Sequence, residues 1–472
     1  DRLNVNDVKK VGLGILQRLS EADWFTSRVS ASALTPQLYN ILNSEEDRRK
    51  ILEIHKSLCN DDMPMVKNDA YKNLVLLIEK MKSHQLILAY TKPLLEQLTN
   101  ELMENMRQSI VDITKKIAQK TEDEKSQDIV PSFIKAAVED DSWRVRKHMA
   151  INLSDICKYL KKKTINDNII PLYIKLLQDS EPQVRKETIL ILDKIILTTD
   201  GDSFSKPLIN GPIQALASDS VNEVREALAE QVSCLGNYLN KNMAKEKLLP
   251  ILKKLAADES SITRLNLCSK LSQVSKILGI ELFESDILPL LKEVTIDQKW
   301  RVRNSIVQNI AIIGIQMGKD KFYNSRLKEI LIQSLKDPAA TVRDTASLQV
   351  KILFEKFGFD YCKKYLFTQM KSIYNDSGNY LHRMVPLKTI QKMSIKLTTK
   401  QISIEFKEVV TKALRDPISN VRFTACKVLY AILPKTDKDT KIQFKTLLTK
   451  IIKEDTDQDV IYFGKKALTQ ID

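Results

Sequence analysis

Apolar residues recur along this chain at spacings of three and four. Between residues 182 and 196, Val184, Thr188, Ile191 and Ile195 fall on one face of a 3.6-residue period. Just upstream, Leu172, Ile174, Leu176 and Leu177 give Pro171 to Asp179 a wide face to bury. The pattern predicts two helices in succession. The first is expected to open with proline, as at Ile170-Pro171, Leu249-Pro250 and Leu288-Pro289, because the missing N–H is not needed at a first helical position. The second is expected to start at a Val-Arg pair.

The same pair of helices returns at a fixed interval. An Asp, a few turn residues, an apolar residue and Arg recur as DWFTSR ending at Arg28, DSWRVR at Arg146, DSEPQVR at Arg185 and DSVNEVR at Arg225. They continue as DESSITR at Arg264, DQKWRVR at Arg303, DPAATVR at Arg343, DSGNYLHR at Arg383 and DPISNVR at Arg422. Weaker copies put Lys67, Arg107 and Ile461 in that slot, and every interval is 39 or 40 residues. Such a period predicts an all-α superhelix, an arc of about twelve helical hairpins running as one solenoid over residues 1–472. The turns at 23–28, 141–146 and 297–303 are expected on one edge.

The Asp is expected to cap the second helix, at the positive end of its dipole. Arg in the same first turn is unfavourable unless carboxylates surround it. A ladder answers this, in which Arg146, Arg185, Arg225, Arg264, Arg303 and Arg343 reach their own Asp and a neighbour's. Large aromatics crowd the same turns: Trp24, Phe25, Trp143, Trp300 and Tyr380 all lie within four residues before a ladder Arg. Aromatics beside Arg are the usual composition of binding hot spots, the alternative being packing against the next repeat.

Composition sharpens the picture. With Gly 11 and Pro 14 against 43% hydrophobic residues, short turns and a continuous helical core are expected. No run of eighteen uncharged apolar residues could span a membrane. The formal net charge is +14, with Lys and Arg spread along the chain; this allows ordinary solvated surface, an acidic protein partner or nucleic acid. Six Cys lie far apart, as reduced thiols of a cytosolic protein would. The four His (His55, His84, His148, His382) show no ligand spacing and are expected on surfaces or ridges. No nucleophile elbow, Walker loop or dinucleotide fingerprint occurs, so neither catalysis nor a cofactor nor a metal is expected.

Several strings carry a closer resemblance. DWFTSR, LCNDDMPMVK (Leu58–Lys67), DSWRVR, KWRVR (Lys299–Arg303), NYLHRM (Asn379–Met384), DPISNVRF (Asp416–Phe423) and DQDVIYF (Asp457–Phe463) resemble the HEAT-repeat scaffold A subunits of protein phosphatase type 2A. The resemblance implies a non-catalytic scaffold, expected in the cytoplasm, with the nucleus and the cytoskeleton or cilium as alternatives. It also implies that these repeats correspond to the fourth to the last of about fifteen, with the amino-terminal ones missing here. It places a phosphatase catalytic subunit on Trp300, Arg301, Tyr380, His382, Arg383, Asn420, Val421 and Arg422. It places a regulatory B-type subunit on Trp24, Phe25, Pro64, Met65, Lys67, Trp143 and Arg144. Two departures stand out: Asn68 and Asp69 follow Lys67 where the family carries basic residues, and this chain is basic where the family is acidic. Two other readings remain open. One is a karyopherin-like transport receptor; the other is a basic solenoid docking on an acidic filament, such as a microtubule or axoneme, or on nucleic acid.

Overall fold

The computed structural model describes residues 8–121, 124–199 and 201–471. Among them every regular element is helical and no strand occurs. The chain falls into two compact units, Asp1–Asn240 and Lys241–Asp472.

In the first unit the second helices of successive hairpins are Phe25–Ile41, Pro64–Lys80, Glu104–Lys120, Trp143–Cys157, Pro182–Leu190 and Asn222–Gln231, each packed on the next. The first helices, such as Glu45–Cys59 and Glu124–Val138, cover this layer from one side. In the second unit the corresponding layer is Ser261–Ser269, Trp300–Val307, Ala340–Phe357, Tyr380–Met393, Ser419–Ile432 and Gln458–Leu468. Stacking puts the turns ahead of these helices along one edge of each unit. That edge carries the candidate site.

The valine just before a slot anchors the stack wherever it occurs. Val66, Val145, Val184, Val224, Val302, Val342, Val421 and Val460 are all at most 1% exposed. Each contributes on the order of 1.5–3 kcal/mol by leaving water. The helix starts before the Val-Arg pair, as at Pro182, which occupies a first-turn position two residues ahead of Val184.

Two of the three prolines expected to open first helices do so, each directly after a π-helical turn. Pro171 and Pro250 occupy first-turn positions of Ile170–Leu177 and Leu249–Ala256, which continue directly from π-helical turns at Ile165–Ile169 and Ala244–Leu248, whereas Pro289 lies in the turn between the π-helical Phe283–Ile287 and the helix Leu291–Thr295. A proline lacks its N–H and its ring crowds the carbonyl four residues back. The wider π turn, seen in the Leu288 N–H to Phe283 carbonyl bond of 2.9 Å, makes room for it. In the second unit Gly279, Gly318 and Gly358 end helices with φ of 79°, 83° and 88°. With ψ near 160–170° this backbone is open only to glycine.

Candidate partner-binding ridge

The ladder sets the geometry of the edge. Arg146 Nη1 donates to the carbonyls of Asp140 (2.8 Å) and Asp141 (3.0 Å), while Nε and Nη2 grip the carboxylate of Asp179 in the next repeat at 2.6 and 2.9 Å. The same bidentate grip joins Arg28 to Asp61, Arg107 to Asp140 and Arg185 to Asp219 in the first unit. In the second unit Arg303 grips Asp337, Arg383 Asp416 and Arg422 Asp455 in that way, and Arg264 closes both N–H groups on one oxygen of Asp297. Bidentate Arg–carboxylate pairs are the strong form of this contact. Lys67 fills its slot with a 2.6 Å bond to Glu101. Arg225 donates to the Asp219 carbonyl at 2.7 Å and to Asn222 at 2.8 Å.

The Asp has a different job from the expected helix cap. Asp140 Oδ1 accepts the N–H of Ser142 two residues on, at 2.8 Å, and Ser142 is the cap of the helix that follows. Asp179, Asp219, Asp297, Asp337, Asp416 and Asp455 repeat that turn. One carboxylate thus shapes its own turn and anchors the preceding repeat's Arg. An Arg reaches its own turn through backbone carbonyls, not through that carboxylate. In three motifs the Asp read from the sequence is one residue out of register: the turn position six before the Arg is Asp140, not Asp141, Ser377, not Asp376, and Ala22, not Asp23. The hydrogen bond from Arg422 holds Asp455 below the usual carboxylate range against the opposing effect of burial. At Asp416 burial pushes the pKa up, but the hydrogen bonds from Arg383 and the Ile418 N–H leave it below that range.

The ladder absorbs several residues expected to meet partners. Lys67, Arg383 and Arg422 are each tied into a rung and largely covered. Val421 is 0% exposed, so its side chain belongs to the core and not to the expected contact surface. Asn420 beside it is exposed.

The remaining ridge residues do sit at the edge. In the first unit Trp24 is 76% exposed, Pro64 and Met65 are exposed, and Phe25 and Trp143 are half-buried. Leu102, 93% exposed, together with Met63 and Met103, joins them in the same turns. Sequence reasoning missed these three because it followed aromatics only; the register that places Trp24 four residues before its slot also places Met63 and Met103. In the second unit Trp300 and Arg301 are exposed, and Tyr380 and His382 are half-buried. Arg301 lies 5.0 Å over the Trp300 ring, as Arg144 lies 4.9 Å over Trp143. Burial and the charges of Arg343 and Lys336 lower the pKa of His382, so its ring is neutral at pH 7.

His55 departs from the expected surface placement. It is 0% exposed, with Nδ1 2.9 Å from Tyr90 Oη and Nε2 3.1 Å from the Ala70 carbonyl, and burial pushes its pKa down to about 4. Among the described residues no three His, Cys, Asp or Glu side chains converge as a metal site would need, and no helix is long and apolar enough to cross a membrane.

The basic excess is not spread evenly. Residues 1–240 carry 33 Lys and Arg against 35 Asp and Glu, a net of −2. Residues 241–472 carry 41 against 25, a net of +16.

Comparison with known proteins agrees with this architecture. Over 99% of its length the chain superposes on 64% of importin beta with a TM-score of 0.58 at 13% identity. It superposes equally on 53% of the karyopherin Kap121p bound to the SUMO protease Ulp1p, at 0.62 and 12%. The fold is a HEAT-repeat solenoid. In sequence, the A-type regulatory subunit of protein phosphatase PP2A from Saccharomyces cerevisiae is 29% identical over 151 residues, which is 30% of this chain and 24% of the relative. Its counterpart in Schizosaccharomyces pombe is 28% identical over 166 residues, 35% of this chain and 28% of the relative. The protein phosphatase 2A scaffold subunit of Dictyostelium discoideum is 45% identical over 62 residues, 13% of this chain and 10% of the relative. The matched segments therefore span about a quarter or less of these relatives. Residues 152–355 also match a family described as Dynein axonemal assembly factor 5-like, TPR repeats.

Proposed function

We propose that this chain is a non-catalytic, cytoplasmic scaffold subunit of a protein serine/threonine phosphatase. The catalytic subunit docks on the second unit's ridge, at Trp300, Arg301, Tyr380, His382 and Asn420. A regulatory subunit docks on the first unit's ridge, at Trp24, Phe25, Pro64, Met65, Trp143 and Arg144. The similarity to phosphatase scaffold subunits supports the partner class. The observation that carries the docking edge is the exposed Trp300–Arg301 stack, an apolar surface with a cation beside it, at the head of a stacked helix. The test is co-purification. Through washing, the tagged chain should retain the catalytic subunit of a phosphatase, and failure to retain any would overturn the reading.

A second reading, a helical-repeat scaffold in axonemal dynein assembly, is favoured by the family match over residues 152–355. Recovery of dynein chains in place of a phosphatase would select it.

A further inference from the structure

Arg28, Arg107, Arg146 and Arg185 in the first unit, and Arg264, Arg303, Arg383 and Arg422 in the second, grip a carboxylate of the following repeat. Arg343 does not. Its Nη1 is held as in every rung, by the carbonyls of Asp337 at 2.7 Å and Pro338 at 2.8 Å, and the side chain is only 8% exposed. Among the described residues it forms no ion pair. The register explains this: Arg303 pairs with Asp337 thirty-four residues on, and the same step from Arg343 lands on Ser377.

The turn around Ser377 is otherwise intact. Ser377 Oγ accepts the Asn379 N–H at 3.2 Å, as the rung Asp does elsewhere, and the Ser377 carbonyl accepts Arg383 Nη1 at 3.2 Å. Only the charge is missing. Asp376, one residue early, instead accepts the Ser372 hydroxyl at 2.7 Å. Beside Arg343 lies a cavity of about 130 Å³ lined by Ser347, Met384, Lys388 and Asp344 among others. Asp344 is paired with Lys392 at 2.9 Å. His382, 3.1 Å from Ser377 Oγ, brings no negative charge. The Arg343 guanidinium lines this cavity with Nε and Nη2 gripping no carboxylate among the described residues, so an entering anion would complete it.

We propose that a docked protein supplies an Asp or Glu side chain that enters this cavity and completes the missing rung on Arg343. The inference rests on reading the second unit's ridge as the docking edge. The slot suits a carboxylate because every neighbouring rung holds one in the same bidentate geometry. It also gives the partner a means of recognition, since a neutral side chain leaves the buried charge unpaired.

The experiment uses the full chain, three single variants (Ser377→Asp, which fills the slot from within; Arg343→Met, which removes the cation; and Gln443→Glu, an exposed charge control) and the double variant of the first two. Ser377→Asp should melt above wild type and bind about tenfold more weakly to the phosphatase catalytic subunit. Arg343→Met should lose affinity similarly, and Gln443→Glu should stay within about twofold. The double variant should lose no more than either single one. Affinities of both single variants within twofold of wild type would overturn the proposal. If wild type binds no catalytic subunit, the phosphatase reading falls and the slot is probed with a tetraglutamate peptide. Binding lost in both variants but kept in Gln443→Glu supports the rung, and equal binding by all five proteins overturns it.

Discussion

Trp143–Arg144 and Trp300–Arg301 are the same dipeptide at the same place in two repeats, and they are held differently. Both arginines stack on their tryptophans. Arg144 is also tied to Glu104 of the preceding repeat at 3.0 Å, whereas Arg301 has no carboxylate among the described residues. The turns around them follow suit: Trp24, Met63, Met65, Leu102 and Met103 make the first unit's edge apolar, and that unit is near neutral. The second unit is strongly basic, with Arg301 unpaired and Arg343 lacking its rung. The first edge is thus apolar and near neutral, whereas the second adds a strong positive charge to its own exposed Ile262, Ile296, Trp300 and Ile418. Burial gives affinity that survives salt; exposed charge gives steering and selectivity that salt weakens.

The largest test breaks the two edges separately. Trp300→Ala with Arg301→Ala should weaken catalytic-subunit binding by about thirtyfold or more, the roughly 2 kcal/mol of a central hot spot, with helix content unchanged by circular dichroism. Trp143→Ala should spare that partner and weaken the regulatory one. If both variants lose the same partner, the division of edges fails. Next in size is the ladder itself. Arg303→Met strands the largely buried Asp337 and should cost about 2 kcal/mol in urea unfolding, while Arg343→Met, which strands no carboxylate, should cost about 1 kcal/mol or less. Equal losses would mean that Ser377 or another group does a carboxylate's work. A salt series comes third. Between about 0.05 M and about 0.5 M NaCl, partner affinity on the second unit should fall about tenfold and on the first unit hardly at all, by calorimetric titration.

Much of this was legible in the sequence. The 39- to 40-residue period fixes the hairpins, and the aromatic residues ahead of four of the slots mark the edge. What escaped was a matter of register and of environment. Val421 sits between Asn420 and Arg422 on the expected contact surface, yet the residue before each slot is apolar in nearly every repeat because it faces the core. The Asp reads as a helix cap until the backbone shows it two residues too early, making its own turn. Asp376 satisfies the motif by eye, but one extra residue in that turn carries it off the rung, and only the fold shows that Ser377 took its place. The charge asymmetry was present in the sequence but invisible without a boundary near residue 240. The prolines marked first-turn positions at Pro171 and Pro250 as read, but the π turns feeding those helices and the turn at Pro289 were not legible in the spacing.

Acid should separate the two kinds of slot. Asp455 and Asp416 have folded pKa values held below the ordinary carboxylate value of 3.8. Their contribution is therefore complete above about pH 5 and is lost as pH falls through 3.8 toward the folded values. Melting temperature should drop over that range in wild type and less in Arg422→Met, whose Asp455 no longer gains from ionising. Ser377→Asp should steepen the drop, since it adds a carboxylate to the slot that lacks one.

The smallest effect bears most directly on the opening comparison. Glu104 accepts from Arg144 at 3.0 Å and is also bonded to the Ser142 hydroxyl at 2.5 Å, and both charged side chains are well exposed. An exposed pair of this kind contributes about 0–1 kcal/mol to folding, so Glu104→Gln should hardly change the melting temperature. It should, however, leave Arg144 stacked on Trp143 with no carboxylate, which is the state of Arg301 on Trp300. If the free cation is what makes the second edge salt-sensitive, Glu104→Gln should give the first edge a measurable salt dependence, about threefold over the same NaCl range. The Trp143 contact itself should be kept. A flat salt profile in this variant would place the difference between the edges in the whole unit's charge, not in the pairing of one arginine.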